Sequence, residues 1–185
     1  MSKSKAYHKQ IGRYVQGKDG NQAHLFKTVF TTDAVLKMLV QSEQIDFPSE
    51  VIGLEAITQT LCTDFNQRFE NIRTLCFLDS VLRSNNLMNC RWLVGMTSKE
   101  TGELHIGYGE YHWTFELDES PLPLHQAKKL TIVIDDMILI PEEHAADCMA
   151  WVESCTYPWA IATDTLSKMP NFPFLSGVGM NLSNY

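Results

Sequence analysis

Four sets of side chains in this 185-residue sequence have types and spacings that could do chemistry. Ile132, Ile134, Asp136 and Ile138 alternate along an apolar run. A carboxyl in such a row is desolvated when it points inward, which raises its pKa and suits it to proton transfer near neutral pH. The competing reading is a strand-end carboxylate bonded to backbone or to a tyrosine. Asp135 falls on the opposite face. Glu110 and His112 are two residues apart, so on a strand they share a face. They form an acid–base pair if that face is internal and a subunit contact if it is not. Tyr14 falls on the helical stripe Tyr7, Ile11, Tyr14, Val15. Cys76 is a nucleophile only beside a basic group. The sequence offers no such partner, so a buried thiol is expected.

The remaining polar inventory narrows the classes. Six histidines show no H-x-H, H-x-x-x-H or H-E-x-x-H grouping, and five cysteines show no C-x-x-C, so neither a metal site nor a cofactor is expected. An odd number of thiols in apolar segments reads as buried and reduced, in a cytoplasmic protein. The net charge of −7 gives no electrostatic reason to seek a phosphate backbone, so no nucleic-acid partner is expected. Lys3, Lys5, Lys9 and Arg13 read as a solvated helix face. No apolar run approaches the roughly 18 residues of a membrane span. Residues Met1 to Gln10 lack the apolar stretch of a secretory signal.

The elements that must position these groups follow from periodicity. A first amphipathic helix carries Tyr14, with Gly17 as its expected C-cap. Asp19, three residues before Gln22, suggests the N-cap of a second helix bearing Leu25, Phe26, Val29 and Phe30. His24 falls beside that stripe and reads as a surface histidine. Thr31 to Asp33 read as a turn, and Ala34, Leu36, Met38 and Val40 as a strand. From Gly53, the residues Leu54, Ile57, Leu61, Phe65 and Phe69 mark a long helix. Beyond residue 71 the period becomes two. Ile72 to Leu78, Cys90 to Met96, Leu104 to Leu117 and Leu130 to Ile140 read as strands, the last three forming an antiparallel meander. Pro-containing residues Asp118 to Gln126 connect the last two. Pro141 opens a final helix, and a proline-interrupted tail follows from Tyr157.

Helix, helix, strand, helix and a run of long strands resembles the nuclear transport factor 2-like superfamily, in its SnoaL-like branch. The residues that carry the resemblance are Phe30-Thr31-Thr32-Asp33-Ala34, Gly53-Leu54-Glu55-Ala56-Ile57 and Phe69-Glu70-Asn71-Ile72-Arg73-Thr74. Cys90 to Met96 and Gly109 to Trp113 resemble an uncharacterised bacterial branch of it. The resemblance spans residues 6 to about 140. It implies an α+β fold: a cone-shaped curved antiparallel sheet with N-terminal helices and one long helix across its concave face. Residues 1–156 are expected to form that domain. Residues 157–185 would be an extension docked on the body or on a partner subunit.

The resemblance also implies a conical cavity. Thr74, Cys76, Trp92 and Met96 should face into it by strand alternation, and Tyr111 and Trp113 are expected to join them. Tyr14 would offer its phenol to a ligand carbonyl. Thr74 stands where SnoaL-like proteins often carry a histidine, which removes a histidine mechanism from that position. The implied function is binding of a small apolar or aromatic molecule, with cofactor-free lyase, isomerase or cyclase chemistry through Asp136 and Tyr14. The alternative is a non-catalytic ligand-binding protein or a homodimeric scaffold. A homodimer would use the convex sheet face of Arg73, Leu75, Leu93 and Tyr108.

Overall fold

The structure is a computed structural model that describes residues 3–117 and 124–183. Helix α1 (Lys3–Asp19) buries Tyr7, Ile11, Tyr14 and Val15, the stripe that the helical period marks. A 3₁₀ turn (Ala23–Leu25) and the short α2 (Phe26–Val29) lead into β1 (Phe30–Val40). The residues expected as a turn, Thr31 to Asp33, lie inside this strand. They occupy its irregular stretch, where pairing with the neighbouring strand shifts between Phe30 and Val35. Gly17 does not end α1; it stays helical and lies against the Phe26 ring.

Strand β2 (Glu50–Ile52) precedes the long helix, which consists of α3 (Leu54–Thr58), a π-helical stretch (Gln59–Asp64) and α4 (Phe65–Arg68). Gly53 precedes α3 at a φ of 94°, a conformation that disfavours any side chain. Next come β3 (Phe69–Phe77), the short β4 (Leu82–Ser84), β5 (Leu87–Ser98), β6 (Leu104–Phe115) and β7 (Ala127–Leu139). Of the connection expected over Asp118 to Gln126, residues 118–123 lie outside those described.

The strands form one curved, unclosed sheet in the order β2-β1-β7-β6-β5-β3-β8, with β4 on β5 and β8 (Trp159–Ala160) at the far edge. Strands β5, β6 and β7 form the expected antiparallel meander, and β3 pairs antiparallel with β5. The sheet is mixed, because β1 runs parallel to β7 and β8 runs parallel to β3.

The two sheet faces are covered differently. On the concave face, α1 and the α3–α4 helix close over an apolar cluster that includes Tyr14, Ile57, Trp92, Trp113 and Leu130. On the convex face, Leu75, Phe77, Leu93, Ile106 and Tyr108 are buried beneath the C-terminal segment. That segment comprises α5 (Glu142–Ser154), α6 (Ala162–Ser167) and α7 (Ser176–Ser183). It contributes Trp151, Val152, Leu175, Val178 and Leu182 to the same cluster. Burying each such side chain fully contributes roughly 1.5–3 kcal/mol, so this layer is a second core.

Arg73 ties the layers together. Its guanidinium donates to the Val152 and Cys155 carbonyls at 3.3 and 2.8 Å, at the C-terminal end of α5 where a cation suits the dipole. It also lies over the Tyr157 ring at 4.8 Å. The face expected to meet a second copy is therefore occupied by the chain's own C-terminal segment. A homodimer of this form would need another surface.

One irregularity in β7 decides what faces inward. Tyr108 pairs with Asp136, but Gly109 pairs with Ile134, so Asp135 is an extra residue in β7. This β-bulge reverses the alternation beyond it. Ile132, Ile134 and then Met137, rather than Asp136, face the concave side. Gly109 permits the bulge, since a Cβ there would lie 2.0 Å from the Val133 carbonyl oxygen.

Candidate functional site

The cone is largely filled by its own side chains, and the void left within it is about 40 Å3. That is room for roughly three or four water-sized groups, judged by the 10–15 Å3 that one water needs. Its walls are mainly apolar: Leu61, Phe65, Ile132, Ile134 and three methionines, Met38, Met96 and Met137. Ile45 and Phe47, from the segment between β1 and β2, close one side. Phe47 is stacked on Phe65 at 6.2 Å.

Against this apolar lining stand a few polar groups. Tyr14, from the stripe of α1, borders the void beside Tyr111 of β6; the two rings meet edge-on at 5.7 Å. The Tyr14 hydroxyl is buried without a hydrogen-bond partner of regular geometry. Trp92 of β5 also borders the void, stacks on Tyr111 at 5.5 Å, and has a buried Nε1–H with no acceptor. Burial drives the Tyr14 hydroxyl above its ordinary pKa, and the neighbouring Tyr111 hydroxyl acts in the opposite sense. Burial, then the Tyr14 charge, drives Tyr111 well above its own. Both phenols therefore remain protonated donors.

Among the described residues the one charged group on the void is Lys18, from the last turn of α1. Its side chain is 7% exposed and that of its neighbour Asp19 is 4% exposed. Lys18 Nζ donates to Asp19 Oδ1 at 2.6 Å and to Thr74 Oγ1 at 2.8 Å, and lies 4.8 Å from the Phe65 ring centroid. Thr74 in turn donates to Asp19 through its amide (2.7 Å) and its hydroxyl (2.9 Å). Tyr157 adds a fourth donor at 3.2 Å. Asp19, expected as a helix N-cap, is the last residue of α1. Its carboxylate is the anchor of a buried network, with all of its donors supplied by the protein.

The other predicted residues divide by position. Thr74, Trp92, Met96 and Tyr111 border the void. Cys76 and Trp113 lie on the same face, within the packed core rather than on the void. Trp113 is wedged between Tyr14, Phe30 and Phe115 at 5.1, 5.8 and 6.0 Å. Burial, then its neighbour Cys90, holds the Cys76 thiol well above the usual value, so it is no thiolate nucleophile at neutral pH. All five cysteines are free and buried.

Asp136 does not face the cavity, because the bulge at Asp135 turns it to the convex side opposite Tyr108. There its Oδ1 accepts from the Met137 amide at 2.8 Å. Glu110 and His112 are joined, Nε2 to Oε2 at 2.8 Å, but on the convex face with side chains 37% and 41% exposed. Arg91 adds a 3.5 Å contact to Glu110. Screening at such exposure leaves this pair worth at most about 1 kcal/mol. Sequence reasoning missed Lys18, because a lysine near the end of an amphipathic helix reads as solvated. The available signal was the adjacency of Lys18 to Asp19, which is legible only once Asp19 is not a cap.

Among the described residues, no group of three or more histidine, cysteine, aspartate or glutamate side chains could hold a metal ion, and no helix is long and apolar enough to cross a membrane. No protein-family model and no curated protein matches the sequence. Solved structures do match. A conserved protein from Planctomyces limnophilus aligns with a TM-score of 0.56 at 14% identity, over 74% of this chain and 97% of its own. A hexachlorocyclohexane dehydrochlorinase from Novosphingobium barchaimii aligns at 0.58 and 13%, over 75% and 90%. A nuclear transport factor 2-like superfamily protein from Salmonella enterica aligns at 0.52 and 11%, over 76% and 95%. The chain has the fold of the nuclear transport factor 2-like superfamily.

Proposed function

We propose that the cone binds a small, mainly apolar molecule that carries one oxygen acceptor, a carbonyl or a carboxylate. The observation that carries this reading is the donor-rich polar lining of the void. Lys18, Tyr14 and Trp92 border it as donors, and the Tyr14 hydroxyl and the Trp92 Nε1–H are buried without a hydrogen-bond partner of regular geometry. The side-chain oxygens beside it, on Thr74 and Asp19, already serve Lys18. A buried donor without a partner costs about 1–3 kcal/mol, and an acceptor-bearing guest removes that cost. The apolar remainder of the guest would meet Met38, Met96 and Met137, whose unbranched thioethers adapt to irregular shapes. Larger guests need those methionines, or Ile45 and Phe47, to move aside.

Binding is favoured over proton abstraction from carbon by a carboxylate or a histidine. Among the described residues no carboxylate or histidine lines the void: Asp19 lies behind Lys18 and Thr74, out of reach of a guest's carbon, and Asp136, Glu110 and His112 lie on the other face. The dehydrochlorinase among the structural neighbours keeps a lyase reading in view, but it shares only 13% identity with this chain.

The test is a thermal-shift and calorimetric comparison of matched ligands. Cyclopentanone and butanoate should raise Tm, cyclopentane should not, and Lys18→Met should lose the butanoate effect. Equal stabilisation by cyclopentane would overturn the reading.

A further inference from the structure

The same void presents a primary amine with a proton relay already assembled around it. We infer that Lys18 is a covalent-catalysis residue that condenses with aldehydes or ketones to form an imine. This rests on the proposed binding of a carbonyl ligand in the cone and specifies what happens to it there.

Three features of the geometry carry the inference. Among the described residues Lys18 is the only lysine bordering the void, and it is almost completely shielded from water, which favours retention of an imine over its hydrolysis. Its nitrogen lies 2.6 Å from a carboxylate that can accept its proton. Thr74 bridges the two, at 2.8 Å from the nitrogen and 2.9 Å from the carboxylate, so a proton can move between them directly or through the hydroxyl. Tyr14 and Trp92, which border the same void, supply hydrogen-bond donors for the carbonyl oxygen.

The steps balance within the site. The Lys18 ammonium gives one proton to Asp19. The freed nitrogen lone pair attacks the carbonyl carbon; the C–N bond forms and the C=O π pair moves to oxygen. Transfer of a second proton from nitrogen to that oxygen gives a neutral carbinolamine. Asp19 then returns its proton to the hydroxyl, the C–O bond breaks, and water leaves as the nitrogen pair forms the iminium. The site begins as an ammonium–carboxylate pair and ends as an iminium–carboxylate pair, with one water released. No oxidant, reductant or metal is consumed. Because the net charge is unchanged, the buried pair is never left uncompensated, the condition under which such a pair becomes costly. A lysine amine forms imines in this way once its ammonium proton has been removed, here by Asp19.

The experiment treats the 185-residue chain with cyclopentanone, reduces with sodium borohydride, and maps modified peptides by mass spectrometry. The expected result is one N-cyclopentyl adduct on the peptide containing Lys18. It should be lost in Lys18→Arg, which keeps the cation for folding, and retained in Lys37→Arg. Labelling confined to exposed lysines such as Lys37, or no adduct despite a cyclopentanone thermal shift, overturns imine formation and leaves the binding reading intact. Absence of both the shift and the adduct overturns both.

Discussion

The two faces of the sheet carry similar residue types and put them to opposite uses. On the convex face, Glu110, His112, Arg91 and Asp135 are a conventional acid–base set, yet they are half-exposed or lie beneath α7, where Asp135 accepts from Asn181 at 3.0 Å. On the concave face a single ammonium, two phenols and an indole border a void of about 40 Å3, with their donors outnumbering the free acceptors. One bulge residue, Asp135, separates the arrangements by sending Asp136 outward and Met137 inward. Residue type alone therefore does not locate chemistry on a sheet; the register that decides the facing does.

The largest break in that contrast comes from the buried pair. Asp19→Ala should cost about 3–5 kcal/mol in urea unfolding, because it leaves Lys18 charged and unpaired and removes the acceptor of Thr74. Removing a charge from the convex pair by Glu110→Gln should cost under about 1 kcal/mol. If the two losses were equal, the distinction between a buried and a solvated network would fail.

The bulge is tested next. Gly109→Ala brings a methyl group to 2.0 Å from the Val133 carbonyl, so β6 and β7 must separate or change register. A loss of about 1–3 kcal/mol or more is expected, accompanied by shifted amide resonances across residues 132–137. An unperturbed spectrum would contradict the bulge.

Asp135 gives a smaller effect with a definite sign. Burial, then the Glu110 charge, raises its carboxyl pKa, opposed by the Asn181 hydrogen bond, Arg91 and His112. A carboxyl with a raised folded-state pKa binds its proton more readily when folded. Stability is therefore greatest below the unfolded value of about 4 and declines as pH rises through the window up to the raised value. Asp135→Asn should raise Tm at pH 7 and have little effect near pH 3. The reverse ordering would contradict the assignment.

The smallest stability change sharpens the concave side. Tyr14→Phe deletes a hydroxyl that has no regular partner, so stability should change by less than about 1 kcal/mol, or rise. Cyclopentanone affinity should fall. Unchanged affinity would remove Tyr14 from the site.

Much of this was legible in the sequence, and the failures have physical causes. The stripe of α1 and the alternation of β5 and β6 put Tyr14, Trp92, Met96 and Tyr111 on one side, and all four lie in the concave cluster, since burial on one face imposes a period. Asp136 was misplaced because an extra residue in a strand leaves the apparent alternation intact while reversing its facing. The combination of Gly109 with an Asp–Asp doublet was the only trace. Asp19 was misread because a carboxylate near a helix boundary usually caps locally, whereas here it bonds to Thr74, 55 residues away. The convex face was expected to be available to a second copy. Its burial beneath α6 and α7 depends on where a proline-interrupted tail folds back, and such a tail has no period to read.

The most direct measurement is a crystal structure of the full chain with butanoate, which can bind Lys18 but cannot form an imine. The account predicts ligand density within the cone, the carboxylate about 3 Å from Lys18 Nζ and the alkyl chain against Met38, Met96 and Met137. An empty cone, or butanoate bound only at exposed cations, would contradict it.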